Sequence, residues 1–229
     1  MIYKAIFNKV DQAHTDVLNG NNIDLDNTRS VCEYMLHFTK THFSDMMQHV
    51  HYPDYDSYTV GHSVRVAALA VFMANAFNWG KESLLSIGTA GLLHDIGKCK
   101  ISDNILYKRG MLSDDEFKII MDHSRVGAEI LMEHKNTTAT DIAAAWGHHI
   151  RHDGSGYPDQ PRWAVMHPVT SLLHICDSFE ALTATRPYKP ALSPHMAFCI
   201  MLRDKGGYHP ALLASFIATT WIYRPGKIA

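Results

Sequence analysis

Residues 31–50 read VCEYMLHFTKTHFSDMMQHV, and Val31, Tyr34, Met35, Phe38, His42, Met46 and Val50 recur in it at three- and four-residue steps. That spacing predicts one face of an amphipathic helix. On its N-terminal side, Asn19-Gly20 followed by Asn21-Asn22 is a turn signal. It separates this helix from a first one at Ile2 to Leu18, and Pro53 closes the segment. On the C-terminal side the helical signals continue. A third helix runs from about Ser57 to Asn78, with Gly80 as its C-cap signal. A fourth covers Glu82 to Leu93. Ser113-Asp114-Asp115-Glu116 reads as a capping box. Further helices are expected at Ser124 to Glu133, at Thr140 to His148, and from Pro168 to Thr183, where proline suits the first helical position. Ser193-Pro194 and His209-Pro210 read as two more starts, and Asp153-Gly154-Ser155-Gly156-Tyr157-Pro158 as a loop. Alternating strand patterns never exceed three or four residues, so the expectation is an all-α fold.

The chain of 229 residues suits one domain, or one with a small extension. A hydrophobic content of 46% with 19% charged residues fits a soluble globular protein rather than a disordered one. The formal net charge of -2 argues against a broadly basic binder of DNA or RNA polymers, leaving room for a local basic pocket. Cys32, Cys99, Cys176 and Cys199 form no C-x-x-C pair, which predicts a reduced, cytoplasmic protein. The N-terminus, with Lys4 and Lys9 inside its apolar run, lacks the layout of a signal peptide. The uncharged runs Val66 to Gly80 and Gly206 to Tyr223 are respectively too short and too interrupted for the ~20 apolar residues of a membrane span.

Histidine is the anomaly: 16 residues, against 21 Lys plus Arg. An excess points to metal ligation, proton transfer or a pH response, and position must decide. His62 lies on the third helix, His94-Asp95 ends the fourth, His123 stands at a junction and His148-His149 leads into the glycine loop. Taken alone, His62 reads as a partly exposed polar residue and the His148-His149 pair as a surface tract. Asp177 differs, because Leu173, Ile175, Phe179 and Leu182 flank it. A carboxylate in such a run faces inward or caps something, and when buried it needs a partner or a metal.

The order His, His-Asp, then a distant Asp resembles the HD phosphohydrolases at His62, His94-Asp95 and Asp177. It is similar, more narrowly, to the HD-GYP family. The matching stretches are His94-Asp95-Ile96-Gly97-Lys98, His123 with Gly127, His148-His149, Asp153 to Pro158, Ala181-Leu182-Thr183 and Arg186-Pro187-Tyr188-Lys189. The resemblance spans roughly residues 57 to 205. It implies an HD-domain helical bundle with additional N-terminal helices, residues 53–229 forming the catalytic domain and 1–52 a helical segment before it.

The resemblance also implies a metal-dependent phosphodiesterase of bacterial signalling that hydrolyses cyclic di-GMP to linear pGpG, or onward to GMP. His62, His94, Asp95 and Asp177 would hold one metal, and Asp95, His123, His148 and His149 a second, with Asp95 bridging. Imidazole and carboxylate suit Fe, Mn or Zn better than Mg or Ca. The family points to two iron ions, divalent or mixed-valence, with manganese as the alternative. Two metals about 3.5–4 Å apart can share a hydroxide that attacks phosphorus in line. Lys98 would add positive charge at the developing oxyanion, and Arg186 and Lys189 match substrate-phosphate contacts. The GYP loop is linked in the family to GGDEF-type cyclases, so a partner of that kind is an expectation. The alternatives are a phosphodiesterase for cyclic GMP-AMP or another nucleotide, and a catalytically weak ligand sensor or protein-interaction module.

Several residues depart from the family. Tyr58 stands where some members carry a Glu for a third metal, and Asp56 lies on a different side of the helix, so two metals are expected. Ile150 replaces a common Glu, Glu180 a usual Asp and Ser171 a frequent Arg, and the connection from Pro158 to Pro168 is shorter. Residues 1–52 are a helical platform, a dimerisation element supporting a homodimer, or the end of a regulatory region. His14, His37, His42, His49 and His51 are solvated or packing residues by default. His152, His167 and His174 are close enough in sequence to support the ligands.

Overall fold

The structure, a computed structural model, describes residues 2–48, 58–159, 166–184 and 191–222. They are all-α as expected, with no β-strand among the described residues. The helices are α1 (Ile2–Leu18), α2 (Leu25–Gln48), α3 (Tyr58–Ala76), α4 (Lys81–Leu93), α5 (Asp103–Leu106), α6 (Asp114–Met121), α7 (His123–Glu133), α8 (Ala139–Gly147), α9 (Pro168–Thr183), α10 (Pro194–Arg203) and α11 (Pro210–Ile222). A 3₁₀ turn, Ile96–Lys100, follows α4. That turn and α5 are too short for periodicity to betray them.

Helix α3 is the axis of the fold. From Thr59 to Ala74 every residue but Arg65 is buried, as befits a helix that is apolar all round. It packs against α1, α2, α4, α9 and α11. The α3–α4 approach is close because Gly91 faces Ala67; a Cβ at Gly91 would lie 2.7 Å from the Ala67 Cα. This contact draws His62 and His94 together, with ring centroids 5.4 Å apart. Phe179, Phe198 and Phe216 pin α9, α10 and α11 to one another, with centroids 5.2 Å apart for the first pair and 5.1 Å for Phe179 with Phe216.

The N-terminal helices share this core. Ile6, Val10, Val31, Cys32 and Met35 belong to the same buried cluster as Val64 to Ala74. A second cluster joins Ala13, Val17, Ile23 and Leu25 to Leu93, Ile96, Leu131 and Ala145. Lys100 Nζ also donates to the Val17 carbonyl at 3.2 Å.

Two local expectations need correction. Tyr34 is 66% exposed, and the buried stripe of α2 runs through Val31, Cys32, Met35 and Leu36. Helices α1, α3 and α4 pack against α2, and the side chains of Phe38, His42, Met46 and Val50 lie outside the described residues. Gly80 does not cap α3. Asn78 takes the left-handed conformation after that helix, at φ 58°, a role asparagine tolerates. Gly80 is extended and stands as the N-cap of α4. No helix among the described residues is long and apolar enough to cross a membrane.

Candidate metal centre

Five helices bring side chains to one buried point. His62 comes from α3, His94 and Asp95 from the end of α4, His123 from the start of α7, His148 and His149 from the end of α8, and Asp177 from α9. His94, Asp95 and His148 are fully buried and His62, His123 and Asp177 nearly so.

Asp95 stands at the centre. Its Oδ2 lies 3.5 Å from the Nε2 atoms of both His62 and His94. Its Oδ1 lies 3.2 Å from His123 Nε2 and 3.6 Å from His148 Nε2. The two oxygens therefore face two different histidine pairs. Asp177 spans the same divide, with Oδ1 3.1 Å from His62 Nε2 and Oδ2 3.8 Å from His149 Nδ1. Two sets of donor atoms result, His62/His94/Asp177 and Asp95/His123/His148/His149, each with its atoms within 4.8 Å of one another.

Local backbone chemistry orients the rings. Nδ1 of His94 donates to the Gly91 carbonyl at 2.7 Å, Nδ1 of His123 to Ile120 at 2.5 Å, and Nδ1 of His148 to Ala144 and Ala145 at 3.0 Å. A carbonyl only accepts, so each Nδ1 carries a proton and each ring turns its Nε2 inward. Burial lowers the pKa of His94 to about 3 and also lowers that of His123. These rings are therefore neutral. His123 Nε2 and His148 Nε2 face each other at 3.1 Å. Among the described residues, His94 Nε2 and Asp95 Oδ1 have no hydrogen-bond partner. Converging lone pairs and a carboxylate, all buried, form the donor set that a cation fits.

The carboxylates stay ionised. Burial alone would raise the Asp95 pKa, but Lys98 and the surrounding imidazoles hold it well below the usual range. Asp177 is likewise lowered despite burial, chiefly by His62. Lys98, on the 3₁₀ turn, places Nζ 2.5 Å from Asp95 Oδ2 while its side chain keeps 20% exposure. It stands at the edge of the cluster, between the buried carboxylate and solvent.

The structure adds supports that were read from sequence only as departures or remote candidates. Glu180 accepts from His62 Nδ1 at 2.5 Å and pairs with Arg65. Burial opposes charge on His62, but Glu180 and Asp177 outweigh it and raise that ring to about 9. The spacing held the clue: Arg65 lies three residues after His62 and Glu180 three after Asp177, on the same helix faces. Of the three remote histidines, His174 touches the site, donating Nδ1–H to the His148 carbonyl at 2.8 Å. His167 caps α9 by accepting from Val169 N–H, and His152 packs on His209. His14 is buried on α1 rather than solvated. Arg186 and Lys189 lie outside the described residues.

Glu180→Gln should weaken metal uptake by about 10–100-fold, the usual cost of losing a ligand's outer partner. Calorimetric titration against wild type checks this; unchanged affinity would reduce Glu180 to a packing residue.

The family model described as HD domain matches residues 30–212. A cyclic di-GMP phosphodiesterase of Pseudomonas aeruginosa is 34% identical over 173 residues, 76% of this chain and 42% of the relative. A 3'3'-cGAMP-specific phosphodiesterase of Vibrio cholerae is 34% identical over 144 residues, 63% of this chain and 31% of the relative. This chain thus spans less than half the length of either. An HDG"Y"P protein of Bdellovibrio bacteriovorus has the same fold, with a TM-score of 0.74 at 15% identity, covering 96% of this chain and 70% of that one.

Proposed function

Because the chain belongs to the HD domain family, in its HD-GYP branch, we propose that it is a metal-dependent phosphodiesterase that hydrolyses cyclic di-GMP to linear pGpG. The observation that carries this reading is Asp95, whose two oxygens face separate histidine pairs inside a buried cluster. His62, His94, Asp95 and Asp177 would hold one metal, and Asp95, His123, His148 and His149 the other. Imidazole and carboxylate donors suit Fe, Mn or Zn; among these the family resemblance favours iron, with manganese as the alternative. Such a pair supplies an activated water nucleophile and offsets negative charge on the phosphate.

The chain's own residues do the rest. The backbone-tethered imidazoles hold the donor atoms in place without reorganisation. Glu180 keeps the proton of His62 on Nδ1. The apolar walls of α3, α4 and α9 exclude bulk water, which strengthens every charge inside. Lys98 stands at the exposed edge, where its ammonium meets a phosphate oxygen as charge develops there.

Lys98→Ala should keep its metals and slow turnover by about 10²-fold, the scale of one lost oxyanion donor. A wild-type rate would return Lys98 to a solvated lysine. The relatives include both cyclic di-GMP and 3'3'-cGAMP phosphodiesterases, so cyclic GMP-AMP is the second reading. The test offers each dinucleotide to iron- or manganese-loaded protein under reducing conditions and follows linear product by chromatography. Product from cyclic di-GMP supports the first reading, and product only from cyclic GMP-AMP the second. Binding without product from either would mark a sensor.

A further inference from the structure

His149 is held unlike the other imidazoles of the cluster. His94, His123 and His148 donate to main-chain carbonyls and His62 to Glu180. Among the described residues no hydrogen bond fixes the His149 ring. It lies instead against Tyr157, with centroids 4.6 Å apart and planes 33° apart. The same Tyr157 ring meets His123 edge-on at 6.2 Å, and His123 meets His149 edge-on at 5.1 Å.

The loop carrying Tyr157 is fastened at both levels. Internally, Arg151 N–H donates to the Ser155 carbonyl at 2.8 Å, and Ile150 bridges Gly156. Externally, the corner between α10 and α11 grips it. His152 N–H donates to Gly207 O at 3.0 Å and Asp153 N–H to Gly206 O at 2.9 Å. The Arg151 guanidinium makes a two-pronged pair with Asp204 at 2.5 and 2.7 Å. From the same corner, Tyr208 stacks on His174 at 5.0 Å, the residue that holds the His148 carbonyl. Residues 204–208 therefore reach the His148-His149 pair from two sides.

We infer that Tyr157 is a positioning residue that fixes the His149 imidazole by a tilted ring contact, anchored by the corner 204–208. The inference rests on the reading of the cluster as a two-metal centre. That contact does for His149 what a carbonyl acceptor does for its neighbours, restraining the ring while Nδ1 stays turned toward Asp177 Oδ2 at 3.8 Å. Loss of the Tyr157 ring should loosen one donor of the Asp95/His123/His148/His149 set while leaving His62 and His94, which hold the other, in place.

The test is a Mn(II) titration of the whole chain, with free Mn(II) read by electron paramagnetic resonance. Wild type should take up two ions. Tyr157→Leu should weaken one of them by about 10–100-fold and leave the other at wild-type affinity, and Tyr157→Phe should restore both. Asp204→Asn should weaken the same ion by a smaller factor. Wild-type binding of both ions by Tyr157→Leu would overturn the inference. Equal weakening of both ions would overturn it too, because a positioning role acts on one set. A wild-type chain taking up fewer than two ions would overturn the two-metal reading itself, a result that the variants cannot produce.

Discussion

Asp95→Ala is expected to lose both metals and the activity together. Among the described residues, its carboxylate faces both histidine pairs, at 3.2 to 3.6 Å from four Nε2 atoms. It is fully buried, so no water takes its place without cost. Its removal also strips Lys98 of its counter-ion. Turnover should fall by about 10³-fold or more, equivalent to about 4 kcal/mol of transition-state stabilisation. Metal content by mass spectrometry and product by chromatography are measured on the same preparation. Retention of two metals per chain would sink the bridging assignment, whatever the rate.

Gly97→Ala carries the largest expected effect on stability. A Cβ there would lie 2.1 Å from the His123 carbonyl oxygen and 2.6 Å from the Gly127 nitrogen. Both are backbone atoms and cannot rotate aside, so the 3₁₀ turn must retreat from α7. That retreat opens the 3.2 Å approach of Asp95 to His123. Overpacking of this kind costs about 3 kcal/mol. For a chain of this size that lowers Tm by roughly 6–12 °C. Thermal unfolding followed by circular dichroism reads it. Gly127→Ala is the internal comparison: its nearest atom would be Gly97 N at 3.2 Å, so a smaller loss is expected. Equal Tm values for Gly97→Ala and wild type would mean that the turn has slack the distances deny.

Much of the fold was legible because its signals are local. Pro168 opens α9, the capping box at Ser113 opens α6 with both of its hydrogen bonds made, and Asn19-Gly20 closes α1. The site was legible for a different reason. Nothing local in His62 or Asp177 marks either as one of a converging set; their order along the chain did. The rest depends on geometry that sequence distance hides. Glu180 looked like a lengthened arm, yet that arm reaches both His62 and Arg65, 118 and 115 residues away. Tyr157 reads equally as a packing residue until its ring is seen against His149. Asn78 took the left-handed turn expected near Gly80 because helix ends depend on the neighbouring packing as much as on composition.

The cluster's seven side chains come from five helices, and His62 meets Asp177 across 115 positions of sequence. Such contacts are absent from any fragment and form only after the long loops between them have closed. No single helix supplies more than two of the seven. The assembled site is therefore a late product of folding, and its formation in a refolding experiment marks the arrival of the whole native topology rather than of any one segment.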